Sequence, residues 1–518
     1  MSDLATTAAS YTVRDLFRRA FSIYGSRIAV TAEEGQWTYA EIGEQAGRLA
    51  AALHGLGLRQ GERVAVLAET RPEYVVTYAA LAQLGITVLT LNIRLHPDEL
   101  RYCVETGQPA ALLTSGPLTH LVRDLRGAGT SVRSWICFDG AHDGFDSYPG
   151  LLAAATGTPP EPGVRASDIH NVLYTSGTTG RPKGAMISHG AAAIRGLRLA
   201  QWFGLTPDDG FIGWLPLFHC GGDESLYATM LTGGTFGALR KADVETMFRM
   251  IERDRLSWTL LLPGVITDFL HHPRRGHYDL ASFRFAIGYA NMMPNVIQHL
   301  TAACGIDFYD AFGQTESSYL LAHGVSRPGE APSLRKLPSP LLDVRIVADD
   351  LTELPPGQPG ECVVRGPSVM SGYLDDPAAT EAAFRGGWLH TGDLLTRHED
   401  GTLSFVDRKK YLIKTGGENV YPAEVEQVIA AHPAVQEVCV FGVPDERWGE
   451  TVKAAVVLHP GAELTAAGLD AWCRDRLAGY KRPRYIAFLA PGELPRSTTG
   501  KVQRHELAKL PARPEERV

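Results

Sequence analysis

The sequence predicts an α/β protein. Its large N-terminal domain should hold two doubly wound α/β subdomains plus a β-barrel-like subdomain, and a small C-terminal α/β domain should follow. From residue 63, short β-rich runs alternate with helical ones, which is typical of parallel sheets covered by helices. Over 331–406 strands and turns follow one another without helical spacers, which favours a small antiparallel sheet or barrel.

The first βα series begins at residue 63. In chain order it reads RVAVLA, PEYVVTYAALAQL, ITVLTL, HPDELRYCVE, AALLTS, a helix near 118–126, and RSWICF. The uncharged stretch Tyr74–Ile93 within it has about the length that spans a bilayer. Pro72 at a helix start and Gly85 as a stop instead predict a helix of about 13 residues that leads into a buried strand. We therefore expect no membrane span.

A loose segment at 141–163 separates this series from a second one, which we expect to begin with the strand NVLYTS. The strands FIGWLP, GTFGAL, SWTLLLP, FRFAIG and IDFYDAF follow, with helices between them. A last α/β segment begins after DRKKYLIKTGGENVYP. The sequence therefore predicts two domains, residues 1–407 and 408–518.

Composition excludes several classes of function. There are 50 Lys and Arg against 58 Asp and Glu, a formal charge of -8, so no basic excess indicates a nucleic-acid partner. Seven scattered cysteines without a C-x-x-C pair argue against a disulfide framework and against a zinc site. Because the N-terminus does not read as a secretory signal, we expect a cytoplasmic protein.

The strongest local motif is TSGTTGRPKG at 175–184, which follows the predicted strand NVLY and precedes a helix that opens near His189. Its glycines let backbone N–H groups turn toward one point, its hydroxyls are further donors, and Lys183 adds a cation. These features predict a polyphosphate cradle. It is not a Walker A motif, because Gly180 is followed by Arg181 and Pro182. On this run alone, a polar loop without a ligand is the alternative.

This run resembles the phosphate loop of the adenylate-forming superfamily, which contains acyl-CoA synthetases, luciferases and the adenylation domains of peptide synthetases. Further family-like stretches follow in the family's order: LPLFHCGG at 215–222, FYDAFGQTES at 308–317, GWLHTGD at 387–393, DRKKYLIKTGGENVYPAEVE at 407–426 and PRSTTGK at 495–501. Six ordered matches are far more specific than any single one. The sequence is most similar to acyl-CoA synthetases.

The resemblance implies an AMP-forming carboxylic acid:CoA ligase. A carboxylic acid and Mg·ATP would give acyl-AMP and pyrophosphate, and the thiol of CoA would then displace AMP. Residues 1–407 would form the AMP-binding domain, and residues 408–518 a mobile domain that carries the catalytic lysine, with the active site between them. The implied cofactors are Mg²⁺, ATP and CoA.

The resemblance also assigns roles to individual residues. The ATP- and AMP-binding residues are Thr175, Ser176, Gly177, Thr178, Thr179, Gly180, Lys183, Asp310, Ala311, Phe312, Gly313, Gln314, Thr315, Asp393 and Arg408. Among them, Phe312 and Asp310 would form the adenine site and Thr315 would contact the α-phosphate. Asp393 and Arg408 would bind the ribose, because a carboxylate accepts two hydrogen bonds from a vicinal diol.

Other positions take part in catalysis and acyl transfer by the same resemblance. The catalytic residues are Lys501, His219 and Glu316, and Glu316 would hold Mg²⁺ together with Thr175. The hinge is Lys410, and the CoA channel contains Gly416 and Gly417. The acyl pocket is formed by Phe218, Gly222, Gly288, Tyr289 and Ala290.

Two departures from the family pattern concern the acyl pocket. Tyr289 stands where related chains commonly have a small residue, and its phenol should shorten or reshape the cavity. We therefore disfavour a very long straight-chain acid and keep aromatic, short and polycyclic acids open. Asp223 is expected to N-cap a helix through SLYATML, with Glu224 in its first turn, although selection of a polar substrate is the alternative.

Two alternative functions stay open. A stand-alone adenylation enzyme would load a separate carrier protein, but His219 occupies the position where amino-acid-activating domains have an aspartate. A silent nucleotide-binding homologue would keep the fold without turnover, which the retained Lys501, Glu316 and Lys183 argue against. Whether the protein forms a homodimer is also open.

Overall fold

The computed structural model describes residues 11–126, 129–176, 181–289, 294–415, 418–445, 447–496, 502–509 and 513–518. Within them the chain divides into two units. The first consists of Met1–Asp343 with Val364–Leu389, and the second of Val344–Val363 with His390–Val518. The predicted domain boundary at 407/408 stays a prediction.

The α-helices of the described residues are numbered in chain order. They are α1 (Val13–Ile23), α2 (Tyr39–Gly55), α3 (Pro72–Leu84), α4 (Pro97–Gly107), α5 (Thr119–Val122), α6 (Tyr148–Ala154), α7 (His189–Trp202), α8 (Cys220–Thr232), α9 (Val244–Asp254), α10 (Pro263–His271), α11 (Pro294–Cys304), α12 (Pro377–Ala383), α13 (Pro422–Ala430), α14 (Ala466–Arg474) and α15 (Arg504–Leu507). Short 3₁₀ turns lie at Gly116–Leu118, Arg123–Leu125, Arg275–His277, Arg385–Gly387, Lys409–Tyr411 and Pro514–Glu516.

The strands are numbered in the same way. They are β1 (Ile28–Thr31), β2 (Gln36–Thr38), β3 (Arg63–Leu67), β4 (Thr87–Thr90), β5 (Ala111–Thr114), β6 (Ser134–Cys137), β7 (Asp146–Ser147), β8 (Ile169–Ser176), β9 (Pro182–Ser188), β10 (Gly210–Gly213), β11 (Thr235–Ala238), β12 (Trp258–Leu260), β13 (Phe285–Tyr289), β14 (Asp307–Gln314), β15 (Ser318–Ser326), β16 (Leu337–Pro338), β17 (Asp343–Val347), β18 (Pro359–Arg365), β19 (Gly372–Tyr373), β20 (Leu389–Arg397), β21 (Leu403–Arg408), β22 (Ile413–Thr415), β23 (Glu418–Val420), β24 (Val435–Asp445), β25 (Gly449–Leu458) and β26 (Tyr485–Leu489).

Two large sheets with parallel centres form the framework of the first unit. One has the strand order β19-β9-β8-β4-β3-β5-β6-β7, and the other β16-β15-β14-β13-β12-β10-β11-β1-β2. Strands β4, β5 and β10 are buried along their whole length, as expected where helices cover both faces of a parallel sheet. The predicted βα alternation is confirmed in both sheets.

The expected start of the second series is wrong. Strand β8, which contains NVLYTS, belongs to the first sheet, where it runs parallel to β4 with Leu89 opposite Val172. The N-terminal strand β1 instead joins the second sheet, with Val30 opposite Phe236 on β11. Hydrogen bonding between distant segments decides sheet membership, and the order of elements along the chain does not reveal it.

The sequence did not predict the strand that follows the phosphate loop. Strand β9 intervenes between the loop and α7, and pairs antiparallel with β8. The loop residues Gly177, Thr178, Thr179 and Gly180 lie outside the described residues. Helix α7 begins at His189 as predicted, but Ser188 caps it through the backbone N–H of Ala191, so the loop does not lead into a helix N-terminus.

Helix α3 confirms the interpretation of the uncharged stretch. It has 13 residues, Pro72 occupies its first turn, and Gly85 ends it in the left-handed region at φ 65°. In the part of the chain that the structure describes, no helix combines the length and the apolar character that crossing a bilayer requires.

The second unit contains two smaller sheets. One has the order β17-β18-β20-β21, and the other the order β23-β22-β25-β24 with β26 parallel to β25. Asp407 at the end of β21 accepts a hydrogen bond from the backbone N–H of Ala423 in α13, 2.7 Å away. Arg504 lies 3.7 Å from Asp407 and donates to Glu426 of α13 at 2.6 Å, so buried polar contacts join β21 to the C-terminal segment.

Two buried histidines pack against each other in the first unit. The ring centroids of His170 and His189 are 4.8 Å apart, and His170 Nε2 lies 3.0 Å from the Tyr227 hydroxyl. Burial lowers the pKa of His189 to about 4 and that of His170 well below its usual value. Both rings are therefore neutral in the folded protein at physiological pH.

We expect His189 to make folding stability depend on pH. The His189 imidazole takes up a proton near pH 6.5 in the unfolded chain but only near pH 4 in the folded protein. The contribution of His189 to the free energy of unfolding is therefore complete above about pH 6.5 and falls by at most about 1.4 kcal/mol per pH unit below it. The nearby carboxylates of Asp168 and Asp15 oppose this loss and Arg14 adds to it. Urea unfolding between pH 7 and 4.5 should show a smaller slope for His189→Gln, whereas replacing the exposed His299 by Gln should leave the slope as in the wild type.

Candidate active site

A tight hairpin in the first unit carries two of the predicted catalytic and phosphate-binding residues. Strands β14 and β15 pair antiparallel, and residues 315–317 form the turn between them. The register shifts after Phe312, and a side chain at Gly313 would collide with the carbonyl oxygen of Ser318. Ser318 has φ 96°, a region that non-glycine residues rarely occupy.

Each backbone carbonyl of the 315–317 turn accepts a hydrogen bond from outside the hairpin. The Thr315 carbonyl accepts from Arg195 Nη2 at 3.1 Å. The next carbonyl, of Glu316, accepts from the backbone N–H of Met370 at 2.8 Å, and that of residue 317 accepts from the Ser368 hydroxyl at 2.9 Å. Two separate segments, helix α7 and the residues that connect β18 to β19, therefore fix the direction in which the side chains of the turn leave the backbone.

The side chain of Glu316 has a partner that the sequence did not indicate. The Tyr373 hydroxyl donates to Glu316 Oε1 at 2.9 Å, and Lys183 Nζ lies 5.2 Å from the centre of the same ring. Burial raises the pKa of Tyr373, and the Glu316 charge raises it further. Strand pairing of Tyr373 with Ala185 on β9 brings the three side chains together. A tyrosine in the run SGYL carries no local signal for this role.

The structure describes the two ends of the phosphate motif, at residues 175–176 and 181–184. Thr175 on β8 lies opposite Lys183 on β9, and its hydroxyl donates to the Lys183 carbonyl at 3.4 Å. The side chain of Ser176, like the loop at 177–180, is outside the described residues. Thr315 Oγ1 lies 3.7 Å from Cys220 Sγ, so the 315–317 turn contacts the first residue of α8.

The predicted adenine stretch, comprising Ala311, Phe312, Gly313 and Gln314, forms the end of β14. Asp310 directly before it is buried in an ion pair with Lys336, with 1% and 2% of their side chains exposed. Burial raises the pKa of Asp310, and Lys336 opposes that shift. The Asp310 carboxylate thus has a structural partner, and its contact with adenine stays a prediction.

The predicted acid-binding residues lie around the start of α8. The expectation that Asp223 caps this helix is wrong, because the N-cap of α8 is His219, four residues earlier, whose Nδ1 accepts from the backbone N–H of Gly221 at 3.0 Å. Phe218 is buried beside it. A Cβ on Gly222 would collide with the Pro216 carbonyl, which gives this glycine a packing role.

The rest of the predicted acyl pocket is only partly described. Gly288 lies on β13 opposite Asp310 of β14. Ala290 and the side chain of Tyr289 lie outside the described residues. The effect of the Tyr289 phenol on the cavity therefore stays a prediction.

The two carboxylates after Gly222 are both buried but face different partners. Asp223 accepts from Asn171 Nδ2 at 2.7 Å, and Glu224 accepts from Arg195 and from the Ser318 hydroxyl. Burial raises the pKa of both carboxyls, and Arg195 opposes the shift in each. The alternative that these residues select a polar substrate gains no support from these contacts.

In the second unit the structure brings the predicted ribose pair together. Asp393 on β20 lies opposite Arg408 on β21, with Arg408 Nε 3.0 Å from Asp393 Oδ1. Lys410, the predicted hinge, is exposed, whereas Lys409 pairs with Asp349 at 2.7 Å and with Glu361 at 2.9 Å. Lys501, Gly416 and Gly417 lie outside the described residues.

Within the described ranges, no group of three or more His, Cys, Asp or Glu side chains could hold a metal ion. The donor set at the 315–317 turn is instead one carboxylate, Glu316, with hydroxyls nearby. Mg²⁺ is commonly bound through one or two carboxylates together with substrate phosphates, so these residues fit a Mg·ATP complex rather than a resident metal.

The fold and these residues define a nucleotide-binding enzyme of the adenylate-forming class. The model of the AMP-binding enzyme family matches residues 17–374, and that of the AMP-binding enzyme C-terminal domain matches residues 424–501. The chain therefore belongs to the family of AMP-binding enzymes.

Individual members of the family are similar to this chain over nearly their whole length. The chain is 34% identical over 494 residues to indoleacetate–CoA ligase of Aromatoleum aromaticum, covering 94% of this chain and 96% of that one. It is 35% identical over 476 residues to feruloyl-CoA synthase of an Amycolatopsis species, covering 91% and 93%. ATP-bound MatB from Rhodopseudomonas palustris has the same fold, with a TM-score of 0.85, 30% identity, and 96% and 98% of the two chains covered. The prediction of an AMP-forming acid–thiol ligase that binds ATP is confirmed.

We expect Tyr373→Phe to weaken use of Mg·ATP while the fold is kept. The variant keeps the ring near Lys183 and removes the hydrogen bond to Glu316, and a hydrogen bond to a charged group contributes about 1.5–3 kcal/mol when buried. Since both residues are partly exposed, KM for Mg·ATP in ATP–pyrophosphate exchange should rise roughly fivefold to tenfold.

The matched control is Tyr278→Phe, since the Tyr278 hydroxyl donates to Glu245 at the same 2.9 Å without contact to the 315–317 turn. Equal effects of the two substitutions on KM would contradict a specific role for Tyr373.

Proposed function

We propose that this enzyme activates an aryl or arylalkyl carboxylic acid as its acyl-adenylate and transfers the acyl group to CoA. The observation that carries the proposal is the 315–317 turn, whose three carbonyls are fixed and whose Glu316 side chain lies beside Tyr373 and Lys183. Such a turn can present a hydroxyl and a carboxylate to a nucleotide in a constant geometry. Positioning of this kind is the main contribution of proteins to phosphoryl-type transfers.

The first half-reaction needs little covalent chemistry from the protein. In the proposed arrangement Thr315 binds the α-phosphate, Lys183 and the 175–180 loop bind the β- and γ-phosphates, and the substrate carboxylate attacks the α-phosphorus. Pyrophosphate leaves with the electrons of the broken P–O bond. Lys501 then neutralises charge that develops at the α-phosphate in the transition state, as a cation on a long flexible stem can do.

Mg²⁺ would be held by Glu316 and would reduce repulsion between the phosphates and the incoming carboxylate. The Tyr373 hydroxyl engages only Oε1 of Glu316, so it orients the carboxylate. Thr175, the other predicted ligand, contributes at most its hydroxyl, which in this structure donates to the Lys183 carbonyl.

Further roles follow the family pattern. We assign the ribose hydroxyls to Asp393 and Arg408, because an ion pair at 3.0 Å offers acceptors and donors side by side. In the second half-reaction the CoA thiolate attacks the acyl carbon and AMP leaves, with Lys410 as the hinge and Gly416 and Gly417 beside the thiol. His219 borders the acyl site at the N-cap of α8.

The aryl substrate class is supported by two kinds of observation. The relatives at 34% and 35% identity are ligases of indoleacetate and ferulate, which are both carboxylic acids with an aromatic ring. The acyl site begins at the buried aromatic ring of Phe218, and Tyr289 adds a second bulky aromatic residue to the predicted lining. All seven cysteines are free thiols, and we propose the reducing cytoplasm as the location.

We expect pyrophosphate release from Mg·ATP to depend on the acid supplied. A panel of indole, cinnamate-type, benzoate-type, short aliphatic, long aliphatic and polycyclic acids, with and without CoA, should give the highest kcat/KM with an aryl acid. Acyl-CoA should form only when CoA is present. Lys501→Ala should lower the rate of adenylation by about 10² or more, because it removes transition-state charge stabilisation.

Three other results would each contradict a different part of the proposed function. Faster release with long straight-chain acids would contradict the proposed substrate class. Acid-dependent release without thioester in the presence of CoA would indicate another acceptor, such as a carrier protein. Binding of ATP without release for any acid class would support a silent homologue.

A further inference from the structure

A buried ion pair lies behind the 315–317 turn. Arg195 on α7 and Glu224 on α8 have 1% and 0% of their side chains exposed, and Arg195 Nη1 lies 3.2 Å from Glu224 Oε1. The same guanidinium donates to the Thr315 carbonyl at 3.1 Å and to the Ser368 carbonyl at 2.8 Å. One side chain therefore connects two helices to the turn and to the segment that contacts it.

The second oxygen of Glu224 reaches the other end of the turn. The Ser318 hydroxyl donates to Glu224 Oε2 at 2.5 Å, and Arg198 donates to the same hydroxyl oxygen. Ser318 is fully buried and has φ 96°, a conformation that costs free energy for a residue with a side chain. Such a conformation persists only where the surroundings determine it, and here the surroundings are Glu224 and its arginines.

Neither charge of the pair can be removed without consequence for the other. A buried charge that loses its partner is strongly unfavourable, and Arg195 and Arg198 both lie around Glu224. The protein therefore either keeps the ion pair between Arg195 and Glu224 or rearranges the 315–317 turn. The pair therefore couples the packing of α7 against α8 to the geometry of residues 315–318.

We propose that Arg195 and Glu224 are positioning residues, which hold the 315–318 backbone so that Thr315 and Glu316 meet the α-phosphate and Mg²⁺. Neither side chain touches the substrate in this proposal. They act through Ser318 and through the Thr315 carbonyl. The inference rests on the proposed function of Thr315 and Glu316.

The adjacent carboxylate provides a matched comparison. Asp223 is equally buried and one residue away, but it accepts from Asn171 Nδ2 at 2.7 Å and from the backbone N–H of Glu224 at 2.7 Å. It makes no hydrogen bond to the 315–318 segment among the described contacts. Substitution of Asp223 removes a buried carboxylate without removing a contact with the turn, whereas substitution of Glu224 removes both. Comparing the two variants therefore separates the two effects.

The test compares Glu224→Gln with Asp223→Asn in the full-length enzyme. For Glu224→Gln we expect KM for Mg·ATP and the half-saturating Mg²⁺ concentration to rise about tenfold or more, since small displacements of catalytic groups have large effects on rate. KM for the carboxylic acid should change by less than about twofold. Asp223→Asn should leave all three values within about twofold of the wild type, even if its melting temperature falls.

A binding measurement provides a readout independent of turnover. Calorimetric titration with ATP in the presence and absence of Mg²⁺ should show that Glu224→Gln loses most of the gain in affinity that Mg²⁺ gives the wild type. Equal effects of Glu224→Gln and Asp223→Asn on this gain would overturn the proposal.

Two variants at Ser318 keep the proposal testable if Glu224→Gln does not fold. Ser318→Ala removes the hydroxyl and retains a side chain at φ 96°, so the turn should relax and KM for Mg·ATP should rise. Ser318→Gly removes the hydroxyl together with the steric cost, and should recover part of the loss. A glycine variant as impaired as the alanine variant would contradict the role assigned to Ser318.

Glu316→Gln separates failure of this proposal from failure of the proposed function. If Glu316→Gln leaves the Mg²⁺ dependence unchanged, the function assigned to the turn is wrong. If Glu316→Gln changes it and Glu224→Gln does not, the turn binds Mg·ATP but Arg195 and Glu224 do not position it.

Discussion

The hydrogen bonds to the three carbonyls of the 315–317 turn are the constraint on which the rest of the candidate site depends. Buried backbone carbonyls need partners, and here one partner comes from helix α7 and two, the Met370 N–H and the Ser368 hydroxyl, come from the segment that connects β18 to β19. Because all three are satisfied from outside the hairpin, the turn cannot move independently of its surroundings. The positions of Thr315 and Glu316 are thus set by the packing of the first unit.

Buried charges are used repeatedly in this protein to fix backbone segments. Arg195 with Glu224 holds the 315–318 segment, and Lys336 with Asp310 lies on the strand that leads into it. In the second unit, Arg504 contacts Asp407 and Glu426 and so joins a strand to a helix. Such pairs are expensive to bury and add little net stability, but they specify one arrangement, because a displaced partner leaves an uncompensated charge.

Local sequence signals predicted much of the fold correctly. Pro72 and Gly85 placed helix α3 at both ends, and the start of α7 at His189 was predicted from the chain. Sheet membership was not predictable in the same way. Strand β8 pairs with β4, about 80 residues earlier, and β1 pairs with β11, about 200 residues later, so hydrogen bonding between distant strands decides both cases. The N-cap of α8 was misplaced because a histidine, not the acidic residue four positions later, accepts the capping bond.

The sequence by itself determined the family, the AMP-forming ligase class and the identity of the residues in its motifs, since these depend on residue types at short spacings. It also indicated the Asp393–Arg408 pair, which adjacent strands bring to 3.0 Å. Only the tertiary structure revealed the contacts of Tyr373, Arg195 and Glu224 with the hairpin. Their partners lie 57, 120 and 94 residues away in the chain, and such contacts form only when separate elements pack together. Hydrogen bonds between residues so far apart in the chain leave no pattern in the local sequence. Their geometry depends on how the helices and strands pack together and not on the neighbouring residues in the chain.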